Sequence, residues 1–247
     1  MHGILPTELP HALPNQRALP RELADFSWLR IPKGLMPELV QLTKLVGSRS
    51  RTLEMNLDYE LSGIGCVSAA VPSRVGTYAA YRRLEWSVGY APKFHFAQLG
   101  QGIGKVRYTP GYVGALSGYT PEWHVSMNYS PTSHHGIDWY KQPASWVLRE
   151  ALARGMSYGK TKEWLLQQRV IREAYVTLVG KDKASWLIIG PFGAVVHKEV
   201  SYPTPLVVCN SEYEGWLDPT YWRAVTSAPY QAPSIYDFVL DRYTVQL

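Results

Sequence analysis

The chain has 247 residues and a mass of 27.9 kDa, room for one large domain or one domain carrying a small extra lobe. Hydrophobic residues make up 46% and charged residues 18%, which is enough apolar side chain for a sizeable core and excludes wholesale disorder. The net charge is +5, but the basic residues are scattered among acids without a run of five, so nucleic acid is not the expected partner.

The first 37 residues hold six of the 18 prolines, which predicts a surface arm rather than long helices. Met1 to Pro20 lacks a basic start followed by an apolar block, so no secretion signal is read there and a cytoplasmic location is expected. No apolar run approaches the roughly 20 residues that cross a bilayer. The best stretch, Trp186 to Val196, is broken by Gly190, Pro191 and Gly193. The spacing of Leu39, Val40, Leu42, Leu45 and Val46 predicts an amphipathic helix from Pro37 to Val46, with a second helix from about Ser50 to Leu61. Strands are expected at Cys66 to Val71, Thr77 to Leu84, Phe94 to Leu99 and Lys105 to Thr109. Gly100-Gln101-Gly102-Ile103-Gly104 misses the GxGxxG spacing and no helix pattern follows it, so it reads as a hairpin turn rather than a nucleotide loop. Helices capped by Ser145 and Thr161 are expected at Ser145 to Arg154 and from Thr161 to about Arg169. Strands return at Ala174 to Val179, Ser185 to Ile189, Ala194 to Lys198 and Leu206 to Cys209, and Ser234 with Asp237 suggests a last helix through Arg242. This order suits an α+β fold, a four-layer αββα sandwich of two antiparallel sheets flanked by helices.

Two cysteines make no disulfide framework and, without a CxxC pair, no zinc knuckle. Cys66 follows the small residues Gly63-Ile64-Gly65 and opens an apolar strand, where an inert buried thiol is the ordinary reading. The next strand ends at Arg82-Arg83-Leu84-Glu85, and hairpin geometry returns Arg82 and Glu85 to the neighbourhood of Cys66. A guanidinium near a thiol favours the thiolate, the form that attacks carbonyls.

These residues resemble the choloylglycine hydrolases and, more closely, the acid ceramidase and N-acylethanolamine acid amidase branch of the N-terminal nucleophile (Ntn) cysteine hydrolases. The resemblance rests on Asn56-Leu57-Asp58-Tyr59-Glu60-Leu61, Cys66-Val67-Ser68, Gly76, Arg82, Gly111-Tyr112-Val113-Gly114 with Gly118, Ser145-Trp146-Val147-Leu148-Arg149 and Val208-Cys209-Asn210. It implies self-cleavage at Gly65–Cys66, dividing the chain into a propeptide-like segment 1–65 and a catalytic domain 66–247. The new α-amine of Cys66 would then be the base for its own thiol, which answers the lack of a histidine at an evident spacing. A free α-amine with an ordinary pKa of about 7.7 to 8 suits that task. By the same resemblance Arg82 orients the nucleophile, Asn210 supplies an oxyanion donor and Asn128 a second one. Glu85 stands where the family has an Asp that holds the amine, one methylene longer, and Arg83 replaces an Asn. Arg83, Tyr112, Trp123 and Tyr129 are candidate substrate-binding residues.

The expected activity is a self-processing amidase acting on a small-molecule, lipid-like N-acyl amide, with no metal or cofactor expected and homo-oligomerisation left open. Arg83 and Glu85 leave a second reading, an inactive member that stays uncut and binds a lipid or a partner. A third, a papain-like pair of Cys66 with His95 or His124, lacks the local signature of such a cysteine. Adjacent His134 and His135 point oppositely on a strand and have no i, i+4 partner, so they read as loop rather than as metal ligands. The sequon Asn128-Tyr129-Ser130 is followed by Pro131 and no glycan is read from it.

Overall fold

The computed structural model of the chain describes residues 31–62, 65–85, 95–99, 104–108, 111–130, 137–210 and 239–244. The helix expected after the prolyl arm is α1 (Met36–Val46). Pro37 sits in its first turn, where its missing N–H is no loss, and Glu38 and Lys44 stand at the ends their charges favour. Gly47 stops it in the left-handed region at φ 76°, its N–H bonded to the Thr43 carbonyl. After a tight turn the chain returns as α2 (Arg49–Ser62). Leu39, Leu42, Leu53 and Leu57 pack with Val113, Trp146 and Ile171, so this helical hairpin docks on α3 (Ala144–Arg154).

The strands form two antiparallel sheets. The smaller runs in the order β10 (Leu206–Val208), β1 (Gly65–Pro72), β2 (Tyr78–Glu85) and β11 (Val239–Thr244). The larger follows chain order: β3 (His95–Leu99), β4 (Gly104–Tyr108), β5 (Ser117–Tyr119), β6 (His124–Tyr129), β7 (Ala174–Val179), β8 (Lys183–Ile189) and β9 (Ala194–Ser201). The pairing of Leu99 with Gly104 fits the expected hairpin, whose turn residues 100–103 lie outside the described ones.

Ala70, Tyr78 and Ala80 of the smaller sheet meet Tyr175, Val179, Ala184 and Trp186 of the larger, so the two are packed face to face. On the other face of the larger sheet Val125, Met127, Val176 and Leu178 pack under Val147, Leu148 and Leu152 of α3 and Leu165 of α4 (Tyr158–Leu166). Both faces of β6 are thus covered, and five of its six residues are buried. The result is the expected α+β arrangement of stacked antiparallel sheets with helices. The described helices lie on the side of the larger sheet. Among the described residues no helix is long and apolar enough to cross a membrane.

Several local expectations are corrected. Val239–Thr244, expected within a last helix, is the edge strand β11, paired with β2 from Val239↔Leu84 to Thr244↔Ala79. An open strand edge offers these β-favouring residues a row of backbone partners, and that outweighs the capping pattern. Ser234 and Asp237 themselves lie outside the described residues. Ser145 does not cap α3, which starts one residue earlier after Pro143; its N–H and hydroxyl turn to Glu60 instead. α4 begins at Tyr158 rather than Thr161, so Thr161 is a buried residue inside the helix, its N–H bonded to the Ser157 carbonyl. Strands β5 and β6 add to the expected elements.

Gly118 of β5 lies beneath α3, and a Cβ there would fall 2.4 Å from Leu152 Cδ1 and 2.6 Å from the Lys105 carbonyl oxygen. Gly159, in α4, has nothing within 4 Å of its Cβ position. Gly118→Ala is therefore expected to destabilise the fold by about 1–3 kcal/mol through overpacking, and Gly159→Ala to stabilise it by up to about 1 kcal/mol through helix propensity. Urea unfolding midpoints of the two variants measure the contrast, and equal midpoints would contradict this packing.

Candidate active site

Cys66 stands at the beginning of β1, opposite Leu84, with Ser68 opposite Arg82. Paired residues share a face, so Cys66, Ser68 and Arg82 all lie on the face turned to the larger sheet. Arg82 is buried and its Nη2 donates to the Met127 carbonyl oxygen of β6 at 2.8 Å and to Cys66 Sγ at 3.7 Å. One guanidinium nitrogen is thus anchored on a main-chain carbonyl while it faces the sulfur.

The main-chain nitrogen of Cys66 donates to Asn210 Oδ1 at 2.5 Å, and Asn210 Nδ2 donates to the Tyr129 carbonyl oxygen at 2.5 Å. Asn210 arrives there because it follows β10, which pairs with β1 through Ser68↔Val208 and Ala70↔Leu206. A network across the two sheets braces this corner. Ser126 Oγ donates to Ser68 Oγ at 2.9 Å, Ser68 Oγ donates to Asn128 Oδ1 at 2.7 Å, and Asn128 Nδ2 donates to the Val208 carbonyl oxygen at 2.7 Å and to that of Cys209 at 3.5 Å. Asn128 therefore ties β6 to β1 and to the segment that carries Asn210, and its donors point at main-chain carbonyls.

The structure brings Cys66, Arg82, Asn128 and Asn210 together. Gly65 also lies in β1, opposite Glu85, and Arg83 lies opposite Val67. The side chains of Arg83 and Glu85 lie outside the described residues, and the group seen holding the Cys66 nitrogen is Asn210. Tyr112 and Trp123 belong to the same buried apolar cluster as Cys66, with Tyr129 packed at its edge. Trp123 is fully buried there, its indole N–H donating to the Met156 carbonyl at 2.6 Å. Cys209 is half-buried, and burial pushes its thiol pKa up.

Three segments that carried the family resemblance meet one another. Asn56 Oδ1 accepts the Val113 N–H at 2.6 Å, and its Nδ2 donates to the carbonyls of Gly111 at 3.0 Å and Thr52 at 2.8 Å. Buried Glu60 accepts the Ser145 hydroxyl at 2.7 Å and its N–H at 3.3 Å, placing a carboxylate at the N-terminus of α3. Arg149 donates to the Val113 carbonyl at 2.6 Å and pairs with Glu38. Gly114 is packed so closely on Ser145 that a Cβ would lie 2.6 Å from its Oγ.

His124 is buried in β6, and its pKa is lowered to about 3, first by burial and then by the positive charge of Arg82. An imidazole so depressed stays neutral at physiological pH and is a poor proton acceptor for a thiol, which weighs against the papain-like pairing. His95 lies in β3 and His134 and His135 lie in 131–136; the side chain of the first and the whole of the other two fall outside the described residues. Sequence reasoning missed Ser126 and the cross-sheet part of Ser68, because two serines 58 residues apart in the chain carry no local signal of their meeting.

No protein-family model matches the chain and no curated protein matches it. Among solved structures, the chain is similar to an N-acylethanolamine-hydrolyzing acid amidase ortholog of Caenorhabditis elegans, with 16% identity, a TM-score of 0.51, and coverage of 65% of this chain and 77% of that one. It also matches a mutant of the conjugated bile acid hydrolase from Clostridium perfringens, with 13% identity, a TM-score of 0.44, and coverage of 61% of this chain and 55% of that one. At these identities the likeness is one of fold.

The His124 environment has a measurable consequence. An unfolded His binds its proton near pH 6.5, whereas the folded one does so only near pH 3, so protons favour the unfolded chain between these values. Stability is expected to be level above about pH 6.5 and to fall as pH drops towards 3. His124→Gln should flatten that fall, read from urea midpoints at several pH values; an unchanged slope would contradict the burial and charge assigned to His124.

Proposed function

We propose that this chain is an amide hydrolase of the Ntn cysteine type, with Cys66 as nucleophile and a self-made break between Gly65 and Cys66. The observation that carries the reading is the double hold on Cys66: its nitrogen on Asn210 Oδ1 and its sulfur beside Arg82 Nη2. A fold shared with a structure described as an acid amidase ortholog supports it.

In the first step the Cys66 thiol adds to the Gly65 carbonyl. Collapse breaks the C–N bond, passes the acyl group to sulfur and leaves a free α-amine on Cys66; water then splits the thioester and releases the 1–65 segment as a carboxylate. The segment's helices α1 and α2 are held to the remainder by the Asn56, Glu60 and Glu38 contacts and by the leucine cluster, none of which depends on the broken bond.

In turnover the α-amine, hydrogen-bonded to Asn210 Oδ1, takes the thiol proton as sulfur attacks the substrate carbonyl. Negative charge develops on the carbonyl oxygen, where an amide N–H of Asn210 is the donor assigned to meet it. The ammonium returns its proton to the leaving nitrogen, the C–N bond breaks, and the acyl group stays on Cys66 as a thioester. Water, deprotonated by the same amine, frees the acid and restores the thiol. The substrate assigned to this reading carries a hydrophobic acyl group, in keeping with the apolar side chains Tyr112 and Trp123 that share a cluster with Cys66.

Two variants test the roles. Cys66→Ala is expected to abolish hydrolysis of long-chain N-acyl amides, and Asn210→Ala to lower kcat by roughly 10²- to 10³-fold with the fold intact, the loss usual for one oxyanion donor. Released fatty acid is the readout, with circular dichroism as the check on folding. Turnover that survives Cys66→Ala would overturn the reading, and unchanged turnover in Asn210→Ala would remove its assigned role.

A further inference from the structure

Ser126 belongs to a row of polar residues that crosses the larger sheet. Ser117 of β5 stands opposite Ser126 of β6, Ser126 opposite Thr177 of β7, and Thr177 opposite Trp186 of β8. Paired residues share a face, and Ser126 reaches Ser68 of β1, so the whole row is turned to the smaller sheet. Ser117 and Thr177 are each 1% exposed, and their hydroxyl oxygens have no hydrogen-bond partner among the described residues. The indole Nε1 of Trp186 is a third buried polar atom of the row without one there.

The side chains that face this row are small. Ser68 and Ala70 lie on the inner face of β1, and Ala80 of β2 pairs with Ala70. All three are buried. Stacked sheets sit about 10 Å apart, a gap that larger side chains fill by interdigitating. Serine, threonine and alanine meeting from both sides leave part of it open. Neighbouring strands are about 4.8 Å apart, and one water at about 2.8 Å from each of two oxygens spans nearly that distance.

We infer that this layer is a built site for buried water, at least two molecules held between the sheets on Ser117, Ser126 and Thr177. Ser126 gives its one hydroxyl proton to Ser68, so towards water its oxygen only accepts. One water takes the Thr177 O–H and donates to Ser126 Oγ, and a second takes the Ser117 O–H and donates to the other lone pair of the same oxygen. Every hydroxyl in the row then has a partner, the state expected of buried polar groups. The waters also set a direction. Donation into Ser126 keeps its proton on Ser68, whose own proton stays on Asn128 Oδ1 and leaves the Asn128 amide N–H groups to the Val208 and Cys209 carbonyls beside Asn210. The water site stands whether or not the chain is an amidase.

Thr177→Val tests it, because valine keeps the branched shape and removes the hydroxyl. A hydroxyl that binds water stabilises the fold, so this variant of the full chain is expected to melt about 2–4 °C lower, the shift for one lost hydrogen bond in a chain of this size. Ser117→Ala should lower Tm by a similar amount. A buried hydroxyl without a partner is a penalty instead, and its removal leaves Tm unchanged or raises it. Either variant melting at or above the unsubstituted chain would overturn the inference. A high-resolution crystal structure of the unsubstituted chain gives a second reading that does not depend on the variants folding. Ordered water within hydrogen-bond distance of both Thr177 Oγ1 and Ser117 Oγ is expected, and a map in which these oxygens meet protein atoms alone would overturn it.

Discussion

A primary amide carries an acceptor oxygen and a donor nitrogen on one rigid plane, and Asn210 uses both at the centre of this structure. Its oxygen takes the Cys66 N–H and its nitrogen reaches the Tyr129 carbonyl. One side chain thus fixes the end of β1 against the end of β6, which belong to different sheets. Everything proposed for the thiol depends on this bridge, because the nitrogen it holds is the atom proposed as the base of a cut chain. An aspartate would supply the acceptor but not the donor, and an alanine neither.

The rest of the corner keeps that bridge in place. Ser126, Ser68 and Asn128 carry hydrogen bonds from the larger sheet through β1 to the Val208 carbonyl, two residues before Asn210. Buried polar groups of this kind stabilise only when satisfied, and here each hydroxyl and amide meets a partner in the opposing sheet. Arg82 closes the same corner from β2 by bonding to the Met127 carbonyl. On the far side of the larger sheet, the helical hairpin is anchored by side chains that reach main-chain groups, Asn56 to the 111–113 turn and Glu60 to the start of α3. Such contacts place the 31–62 segment without relying on the covalent link at residue 65.

Much of this is legible in the sequence, for identifiable reasons. Cys66 and Arg82 can be paired because adjoining strands with a short connection return residues to a calculable register, and the pairing of Ser68 with Arg82 is that register. The first helices and the helix from 144 to 154 are legible from apolar spacing and from glycine at their ends. What escapes depends on stacking. β6, not among the expected strands, alternates Val125 and Met127 with His124, Ser126 and Asn128, and no local pattern shows that a second sheet covers its polar face. The arrangement of Asn128 is hidden for the same cause, since its donors are turned to Val208 and Cys209 by a neighbour distant in the chain. β11 reads as a helix because capping residues are local signals, whereas the open edge of β2 is not.

The central claim is that Cys66 becomes an N-terminal residue, and the mass of the purified chain tests it most directly. After prolonged incubation at mildly acidic and neutral pH, the account predicts two species, one ending at Gly65 and one beginning at Cys66, and no break in Cys66→Ala. A chain that stays whole under all these conditions, or one that is cut at the same bond without the thiol, would contradict it.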